Sequence, residues 1–236
     1  MQKIDKNYLE KFWVGLMDGD GSIQVNHWRK KFLQYRLVIK LKDTEENFQL
    51  LILIETYLGG HARRQKESII WVENHKKKIL SLLEIFQTFP PLTTRLQRQI
   101  LFMTTCMSHN NVDTYLTTRK DKYILPSQEP KRSSEQIISL PYFKEWLSGF
   151  IEAEGCFCLR KNKSHSFSIT QKNDSDILMA IKTYLKTGVK IRFLKNGCFS
   201  LETYNKVSLI EIIKHCQTYP LLGQKTQSFK KFCQRI

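Results

Sequence analysis

The sequence predicts an α+β fold made of two pseudo-symmetric halves, each with the element order αββαββα. Two observations lead to this prediction. A set of motifs occurs twice, in the same order, along the 236-residue chain. Within each copy, stretches that alternate apolar and polar residues, as half-buried strands do, stand between stretches with the periodicity of amphipathic helices. A chain of this length can bury a sizeable core, and a repeat of this size indicates a duplicated unit.

The repeat begins with WVGLMDGDGSI at residues 13–23, which is echoed by WLSGFIEAEGCF at 146–157. Further along, VIKLKDTEENF matches SITQKNDSDIL, ETYLGG matches KTYLKTG, and FPPLTTRLQ matches YPLLGQKTQ. The last match pairs Arg95 with Lys225. Four matches in one order favour an ancient duplication over chance.

Each half is predicted to contain two strand pairs with a helix between them and helices at both ends. The strand segments are 22–28, 34–42, 61–66 and 68–73 in the first half, and 156–162, 166–171, 189–194 and 198–204 in the second. The helix between the strand pairs begins at Asp43 or Thr44 in the first half and at Asp174 or Ser175 in the second, because these side chains cap helix N-termini. Glycines are expected to end these helices: Gly59, Gly60 and Gly188.

The domain prediction places an N-terminal half at residues 1–108, a linker at 109–138 and a C-terminal half at 139–236. The linker is polar and basic and contains two prolines. It is either a soluble tether or a segment that lies along a partner. Its basic residues are Arg119, Lys120, Lys122, Lys131 and Arg132.

The charge of the chain indicates a polyanionic partner. The formal net charge is +16 and the isoelectric point is about 9.6, so nucleic acid is the first candidate and a membrane surface the second. No apolar run is long enough to span a bilayer, and MQKIDKNYLEKF at the start has neither a secretory apolar region nor the composition of a transit peptide. The six cysteines show no metal spacing, which predicts free thiols in a reducing, intracellular compartment.

Each copy of the acidic motif has two small residues four apart, which lie on one helix face and allow close approach of another backbone. These residues are Gly15, Gly19, Gly149 and Ala153. If the two helices pack through these faces, Asp20 and Glu154 meet at the helix C-termini, where carboxylates repel each other and oppose the dipoles. Divalent cations would relieve this conflict, and oxygen ligands suit Mg²⁺. The alternative, an acid in a polar turn, is weaker for two matched copies.

The two motifs resemble those of the LAGLIDADG homing endonucleases, in the single-chain form with two motifs, and the resemblance covers nearly the whole chain. The copies depart from the family pattern at Trp13, Val14, Met17, Gly19, Ser148, Phe150, Glu152 and Glu154, but both end in an acid. The resemblance implies that the motif helices pack at a pseudo-twofold interface and that the antiparallel sheets form a DNA-binding saddle. It further implies a monomer that cuts double-stranded DNA at a long, asymmetric site.

The resemblance also implies a metal site. Mg²⁺ is held by Asp20 and Glu154, with the backbone carbonyls of Gly19 and Ala153 as additional ligands, and Ca²⁺ occupies the site without supporting cleavage. The implied chemistry is phosphodiester hydrolysis, in which metal ions activate water and stabilise the leaving oxygen.

Three other catalytic residues follow from the resemblance. Lys225 matches the lysine of the family's catalytic pocket, unless it only contacts phosphate, and Arg95 is its counterpart in the first half. Gln171 stands where the family uses a polar residue to order water. Leu41 occupies that place in the first half, so the two strands are expected to be cut at different rates.

The strands are expected to read DNA with their outward faces, since alternate residues of a strand point to opposite sides. Ile23 and Val25 are assigned to the core. β-Ribbons enter the major groove, where Arg reads guanine and Gln or Asn reads adenine, although any one of these residues could simply be solvated. The predicted contacts are Ser22, Gln24, Asn26, Trp28, Gln34, Arg36, Val38, Lys40, Arg63 or Arg64, Gln65, Cys156, Cys158, Arg160, Asn162, Ser166, Ser168, Thr170, Lys190, Arg192, Ser200 and Glu202.

Two other functions compete with a site-specific endonuclease. One is a maturase that uses the same scaffold to hold intron RNA. The other is a DNA-binding regulator with an inactive nuclease fold, which the presence of Asp20, Glu154 and Lys225 argues against. Family habit suggests an intron-encoded product of a mitochondrion or another organelle.

Overall fold

The computed structural model describes residues 4–124, 132–160 and 165–235. Its helices are α1 (Lys6–Gly19), α2 (Glu45–Leu58), α3 (Lys76–Thr88), α4 (Thr94–His109), α5 (Val112–Thr118), α6 (Ser134–Ile138), α7 (Phe143–Glu154), α8 (Ser175–Tyr184), α9 (Lys206–Thr218) and α10 (Lys225–Cys233). Its strands are β1 (Gly21–Trp28), β2 (Phe32–Lys42), β3 (His61–Gln65), β4 (Ser68–Glu73), β5 (Gly155–Cys158), β6 (Ser166–Lys172), β7 (Arg192–Phe193) and β8 (Cys198–Thr203). Among these helices, none has the length and apolarity that a membrane span needs.

The strands form two antiparallel sheets of four, in the orders β1-β2-β4-β3 and β5-β6-β8-β7. The predicted α+β class and the repeated αββαββα order are therefore confirmed. The chain divides into two compact units, one of residues 1–10 and 20–130 and one of 11–19 and 131–236. The segment predicted as a linker contains α5, α6 and a 3-10 turn at Asp121–Tyr123, and the domain boundaries stay a prediction.

In the first unit, helices cover the edge strand β1. Ile23 and Val25 are buried, as the alternation predicts. The side-chain oxygen of Gln99 accepts a hydrogen bond from the Ile23 N–H at 2.8 Å, and the Tyr115 hydroxyl donates to the Val25 carbonyl at 2.9 Å. Because an edge strand leaves half of its backbone groups without a partner strand, these two side chains satisfy groups that would otherwise be exposed for aberrant pairing.

In the second unit, residues 11–19 of α1 lie directly against α7. A Cβ atom added to Gly15 would stand 1.9 Å from the Trp146 carbonyl oxygen, and one added to Gly149 would stand 1.9 Å from the Phe12 carbonyl oxygen. The two backbones therefore touch, reciprocally, at the glycines that the sequence predicted as an interface. The predicted packing of the motif helices is confirmed, and only residues without a side chain fit at its centre.

A buried polar network fixes α7 against α9. The Ser148 hydroxyl donates to the Tyr219 carbonyl at 2.8 Å and lies 3.1 Å from Nε2 of His215, while the Tyr184 hydroxyl lies 3.0 Å from Nδ1. Because the Ser148 proton is used on Tyr219, Nε2–H of a neutral His215 donates to Ser148 and Nδ1 accepts from Tyr184. Burial, helped by the charge of Lys144, lowers the pKa of His215 to about 3.

The helix between the strand pairs begins where the sequence predicts in both halves, and its C-terminal end differs from the prediction in the second half. Thr44 and Asp174 are the N-cap residues, and Gly59 ends α2 at φ 87°. The prediction that Gly188 ends α8 is wrong. The helix stops at Tyr184 because Lys186, at φ 51°, turns the chain away from the helix axis. The N–H groups of Lys186 and Thr187 then donate to carbonyls of the last helical turn.

Two strands of the second sheet are shorter than predicted. β5 covers 155–158 rather than 156–162, and residues 161 and 162 of the predicted strand lie outside the described residues. β7 covers only Arg192 and Phe193 rather than 189–194. As an edge strand β7 pairs with β8 alone, and that pairing closes in a tight connection in which the Leu194 N–H bonds the Cys198 carbonyl.

We predict that Gly15→Ala destabilises the protein, whereas Gly188→Ala does not. The new methyl group at Gly15 meets a backbone carbonyl that cannot move without separating the helices, and overpacking of this kind costs about 1–3 kcal/mol or more. A chain of this size loses about 2–4 °C of melting temperature per kcal/mol. The control adds a methyl group that meets no atom within 4 Å. Equal melting temperatures for the two variants would show that the helices do not touch at Gly15.

We also predict an acid-sensitive contribution from His215. Its pKa is lower in the folded state, about 3, than the usual unfolded value of about 6.5. Its contribution is therefore complete above about pH 6.5 and is lost as the pH falls towards the folded value, by up to about 1.4 kcal/mol per pH unit. Urea unfolding at a series of pH values should show the gap in unfolding free energy between wild type and His215→Gln shrinking on acidification. A gap that is constant with pH would contradict the assignment.

Candidate functional site

The first acid of each motif is buried and acts as a hydrogen-bond acceptor within the second unit. The Trp146 indole N–H donates to Oδ2 of Asp18 at 2.7 Å. The two carboxylate oxygens of Glu152 accept, at 3.0 Å each, the backbone N–H groups of Gly223 and Lys225 at the start of α10. Glu152 thus satisfies the N–H of the first residue of α10, which a helix N-terminus leaves without a partner, and one N–H of the turn that leads into it. Sequence reasoning assigned no role to Asp18 or Glu152, although two acids per motif were a signal.

Burial and hydrogen bonding act in opposite directions on Glu152. Burial raises the pKa of its carboxyl group, whereas the backbone N–H bonds from Lys225 and Gly223 and the charge of Lys225 favour the ionised form. Both oxygens of this buried carboxylate therefore accept N–H groups of its own chain.

The last acid of each motif has a different environment. Asp20 is exposed and belongs to the first unit, between α1 and β1, and Glu154 is partly exposed and ends α7 in the second. Both are oxygen donors of the kind that Mg²⁺ prefers. Among the described residues, no group of three or more His, Cys, Asp or Glu residues could hold an ion alone. Each carboxylate fits Mg²⁺ by its chemistry, since that ion keeps several waters and needs only one or two carboxylates.

Lys225 lies at the C-terminus of α7, where the helix leaves carbonyls without partners. Its Nζ donates to the Ala153 carbonyl at 2.6 Å and to the Ile151 carbonyl at 3.2 Å. A cation here offsets the negative end of the helix dipole, which helps a helix that ends in acids to form. The Ala153 carbonyl was predicted as a metal ligand. It has two lone pairs, of which Lys225 uses one.

Gly19 needs to be small for the same local reason as the other motif glycines. A Cβ atom added there would stand 2.2 Å from Cβ of Ala153 and 3.2 Å from Cγ of Glu154. A larger residue at Gly19 would therefore displace Glu154 at the point where the helix ends.

Arg95 and Gln171, the other predicted catalytic residues, have different surroundings. Arg95, in the first turn of α4, donates from Nη1 to the Gly21 carbonyl at 2.6 Å, which places it beside the strand that follows Asp20. Gln171 is buried, and its amide donates at 3.4 Å to Asp174 and to the Lys172 carbonyl. Within the described residues it forms no hydrogen bond with the end of α7.

The first sheet collects most of its predicted contact residues on one face. The register pairs Ser22 with Val38, Gln24 with Arg36 and Asn26 with Gln34. Val38 is buried within this row, so the prediction that it contacts DNA is wrong. Trp28, Lys40, Arg63 and Gln65 extend the same row.

Arg64, which the sequence offered as an alternative to Arg63, lies on the other face. It forms ion pairs with Glu45 and Asp43 and its guanidinium stacks over the Phe48 ring. These bonds hold it beside α2, so Arg63 is the arginine on the row.

The second sheet forms a corresponding row. Cys156 pairs with Ser168, Cys158 with Ser166, and Ser200 with Thr170. Ser166 and Ser200 are buried, so the prediction that they contact DNA is wrong: neighbouring side chains cover these two small residues. Arg160, Arg192 and Glu202 belong to the row, Lys190 lies exposed just before β7, and Asn162 lies outside the described residues.

Aromatic side chains extend both rows beyond the sequence prediction. Phe32, opposite Trp28 in the first sheet, and Tyr204, at the end of β8, are each about half exposed. The strand alternation, continued by one step, would have found both.

Comparison with known proteins gives one consistent family. The sequence profile of the LAGLIDADG endonucleases matches residues 13–106 and 147–236. A probable intron-encoded endonuclease aI3 of Dictyostelium citrinum is 42% identical over 98% of this chain and 96% of its own length. Its namesake in Dictyostelium discoideum is 39% identical over 98% and 99%. An uncharacterized mitochondrial protein, RF1 of Saccharomyces cerevisiae, is 27% identical over 76% of this chain and 40% of its own length.

Solved structures show the same fold at low identity. The meganuclease I-SmaMI, bound to uncleaveable DNA, has a TM-score of 0.74 and 18% identity over 95% of this chain and 89% of its own. I-AabMI, bound to uncleaved DNA, has a TM-score of 0.70 and 19% identity over the same shares.

We predict that Glu152→Gln lowers the melting temperature. An amide has one acceptor oxygen, so one of the two N–H groups at the start of α10 faces an NH₂ group instead, at a cost of about 1–3 kcal/mol for a buried unsatisfied group. Thermal unfolding measures the loss. The control is Glu67→Gln, the same chemical change at an exposed residue, and equal melting curves for both variants would contradict the capping role.

Proposed function

The chain belongs to the LAGLIDADG endonuclease family and is a DNA endonuclease. On this premise, we propose that it is a homing endonuclease that uses Mg²⁺ to hydrolyse both strands of a long, asymmetric duplex target. The observation that carries the proposal is the division between the two acids of each motif. Asp18 and Glu152 are buried and bonded to their own chain, whereas Asp20 and Glu154 are accessible to solvent. Accessible carboxylates at both helix ends are what a reaction on two DNA strands requires.

Asp20 and Glu154 would supply the carboxylate ligands of the divalent cations, with the carbonyl oxygens of Gly19 and Ala153 as additional ligands. When bound, the metal supplies a more acidic water and neutralises charge on the phosphate and the leaving oxygen. Ca²⁺, with its looser geometry, would occupy these ligands without supporting cleavage.

Lys225 and Arg95 donate hydrogen bonds to backbone carbonyls next to the motif ends, those of Ala153 and Gly21. We assign them the stabilisation of negative charge that develops on the scissile phosphates. Gln171 would order water in the second half, and the apolar Leu41 at the matching position would make the two cleavage rates unequal.

The sheet rows would read the target sequence. A net charge of +16 supplies affinity for phosphates that does not depend on sequence, and the rows supply base contacts. Positions that match between the two registers differ in chemistry, since Lys40 corresponds to Thr170. Unequal rows predict a target whose two halves differ in sequence.

The maturase alternative is not favoured, because the relatives that cover the whole chain are named endonucleases. The mitochondrial name of one relative supports our proposal that this protein is an organelle-encoded intron product. The monomeric state is likewise proposed, since one chain already carries both motifs.

We predict that Asp20→Asn and Glu154→Gln each abolish cleavage and leave DNA binding within a few-fold of wild type. Each change removes a metal-binding charge and adds no bulk. The substrate is a plasmid with the uninterrupted host sequence, made by joining the two stretches that flank the gene's intron. Cleavage is followed in Mg²⁺, in Ca²⁺ and in chelator, and binding by titration in Ca²⁺.

Glu67→Gln is the control and should cut normally. Wild-type cutting of both strands by either acid variant would contradict the site. Equal affinity of the wild type for the target and for random duplex at physiological salt would contradict a site-specific enzyme.

A further inference from the structure

Glu202 is an acid in the middle of a row that is otherwise suited to DNA. Its Oε2 accepts from Nη2 of Arg192 at 2.6 Å. Its Oε1 accepts from the Tyr204 hydroxyl at 2.7 Å, from the Ser166 hydroxyl at 3.2 Å and from Nη2 of Arg160 at 3.4 Å. Four donors of the second unit therefore converge on one carboxylate.

These bonds leave Glu202 little capacity to read a base. A carboxylate has about four lone-pair sites, and a glutamate that recognises cytosine must accept a proton from its amino group. The bonds from Tyr204, Ser166 and Arg192 outweigh burial and lower the pKa of Glu202, so the group stays ionised and engaged. The sequence-based role of Glu202 as a base contact does not fit this geometry.

The two arginines, in contrast, keep donors for DNA. Their side chains are 46% and 60% exposed at Arg160 and Arg192. A guanidinium has five N–H donors, and a bidentate contact to guanine takes two. Tyr204 holds Arg160 a second time, because its hydroxyl accepts from Nη2 at 2.8 Å and its ring lies 5.2 Å from the guanidinium carbon.

We propose that Glu202 is a positioning residue that fixes Arg160 and Arg192 for guanine recognition in the second half of the target. This inference rests on the proposed function. A long side chain that is already ordered loses less entropy when it binds, and a fixed guanidinium plane discriminates between bases more sharply than a mobile one. Without Glu202, the arginines would still attract phosphates but would select bases less well.

The first sheet provides an internal comparison. The register places Val72 where the second sheet has Glu202, and Arg63 where it has Arg192. Arg63 is exposed and forms no ion pair within the described residues. Among the described residues, the clamp, by which we mean Glu202 with Arg160 and Arg192, therefore belongs to the second sheet alone. Recognition in the first half of the target should not depend on it.

The test is Glu202→Gln, with Glu67→Gln as the control of equal charge change. Binding is titrated on the target and on duplexes with single base-pair substitutions in each half. We expect affinity for random duplex to rise, because a negative charge is removed, while discrimination at guanines of the second half falls about five- to tenfold, part of the value of a bidentate contact. Discrimination in the first half should be unchanged.

A uniform rise in affinity with discrimination retained would overturn the proposal, because Glu202 would then act only by repelling phosphate. A second measurement needs no DNA. Phenylglyoxal labelling with mass spectrometry should show faster modification of Arg160 and Arg192 in folded Glu202→Gln than in wild type, and no change at Arg63. Unchanged labelling rates would also overturn the proposal. A wild type that binds all duplexes equally would overturn the proposed function instead. In that case the labelling result would still show whether Glu202 holds the two arginines.

Discussion

The direct contact between the backbones of the two motif helices is the constraint on which the rest of the site depends. At Gly15 and Gly149 an added methyl carbon would come within 1.9 Å of the facing carbonyl oxygen. Packing this close leaves no room for adjustment at the contact, so it fixes how α7 lies against α1. Glu154 and the Ala153 carbonyl lie at the end of α7, so their placement follows from two residues that have no side chain.

The acids of the motif divide two tasks that a single carboxylate could not perform. Glu152 holds the start of α10 through two backbone N–H groups and so brings Lys225 to the carbonyls of α7. Glu154, two residues later, points to a different side of the helix and stays accessible. Glu152 thus positions Lys225 beside Glu154, the acid to which we assign catalysis. The charge of Lys225 also explains why a helix end rich in negative charge can be stable.

The two sheets show how one duplicated framework supports unequal recognition. Their strand orders and registers match, so backbone positions correspond across the repeat. Their outward residues have diverged, as Val72 and Glu202 illustrate. Because the outward face contributes little to the core, such positions can change with small cost in stability, whereas the motif glycines cannot.

The sequence by itself determined the repeat, the order of helices and strands, the face of each strand and the small residues of the helix contact, because periodicity and residue size are local properties. Only the tertiary structure decided the partners. Asp18 meets an indole 128 residues away and Glu152 meets an N–H group 71 residues away. Packing also decided that α8 ends at a turn formed by Lys186 rather than at Gly188. It likewise decided that Glu202 bonds two arginines. A side chain's bonding partner is set by which distant elements are brought together, and no local pattern records that.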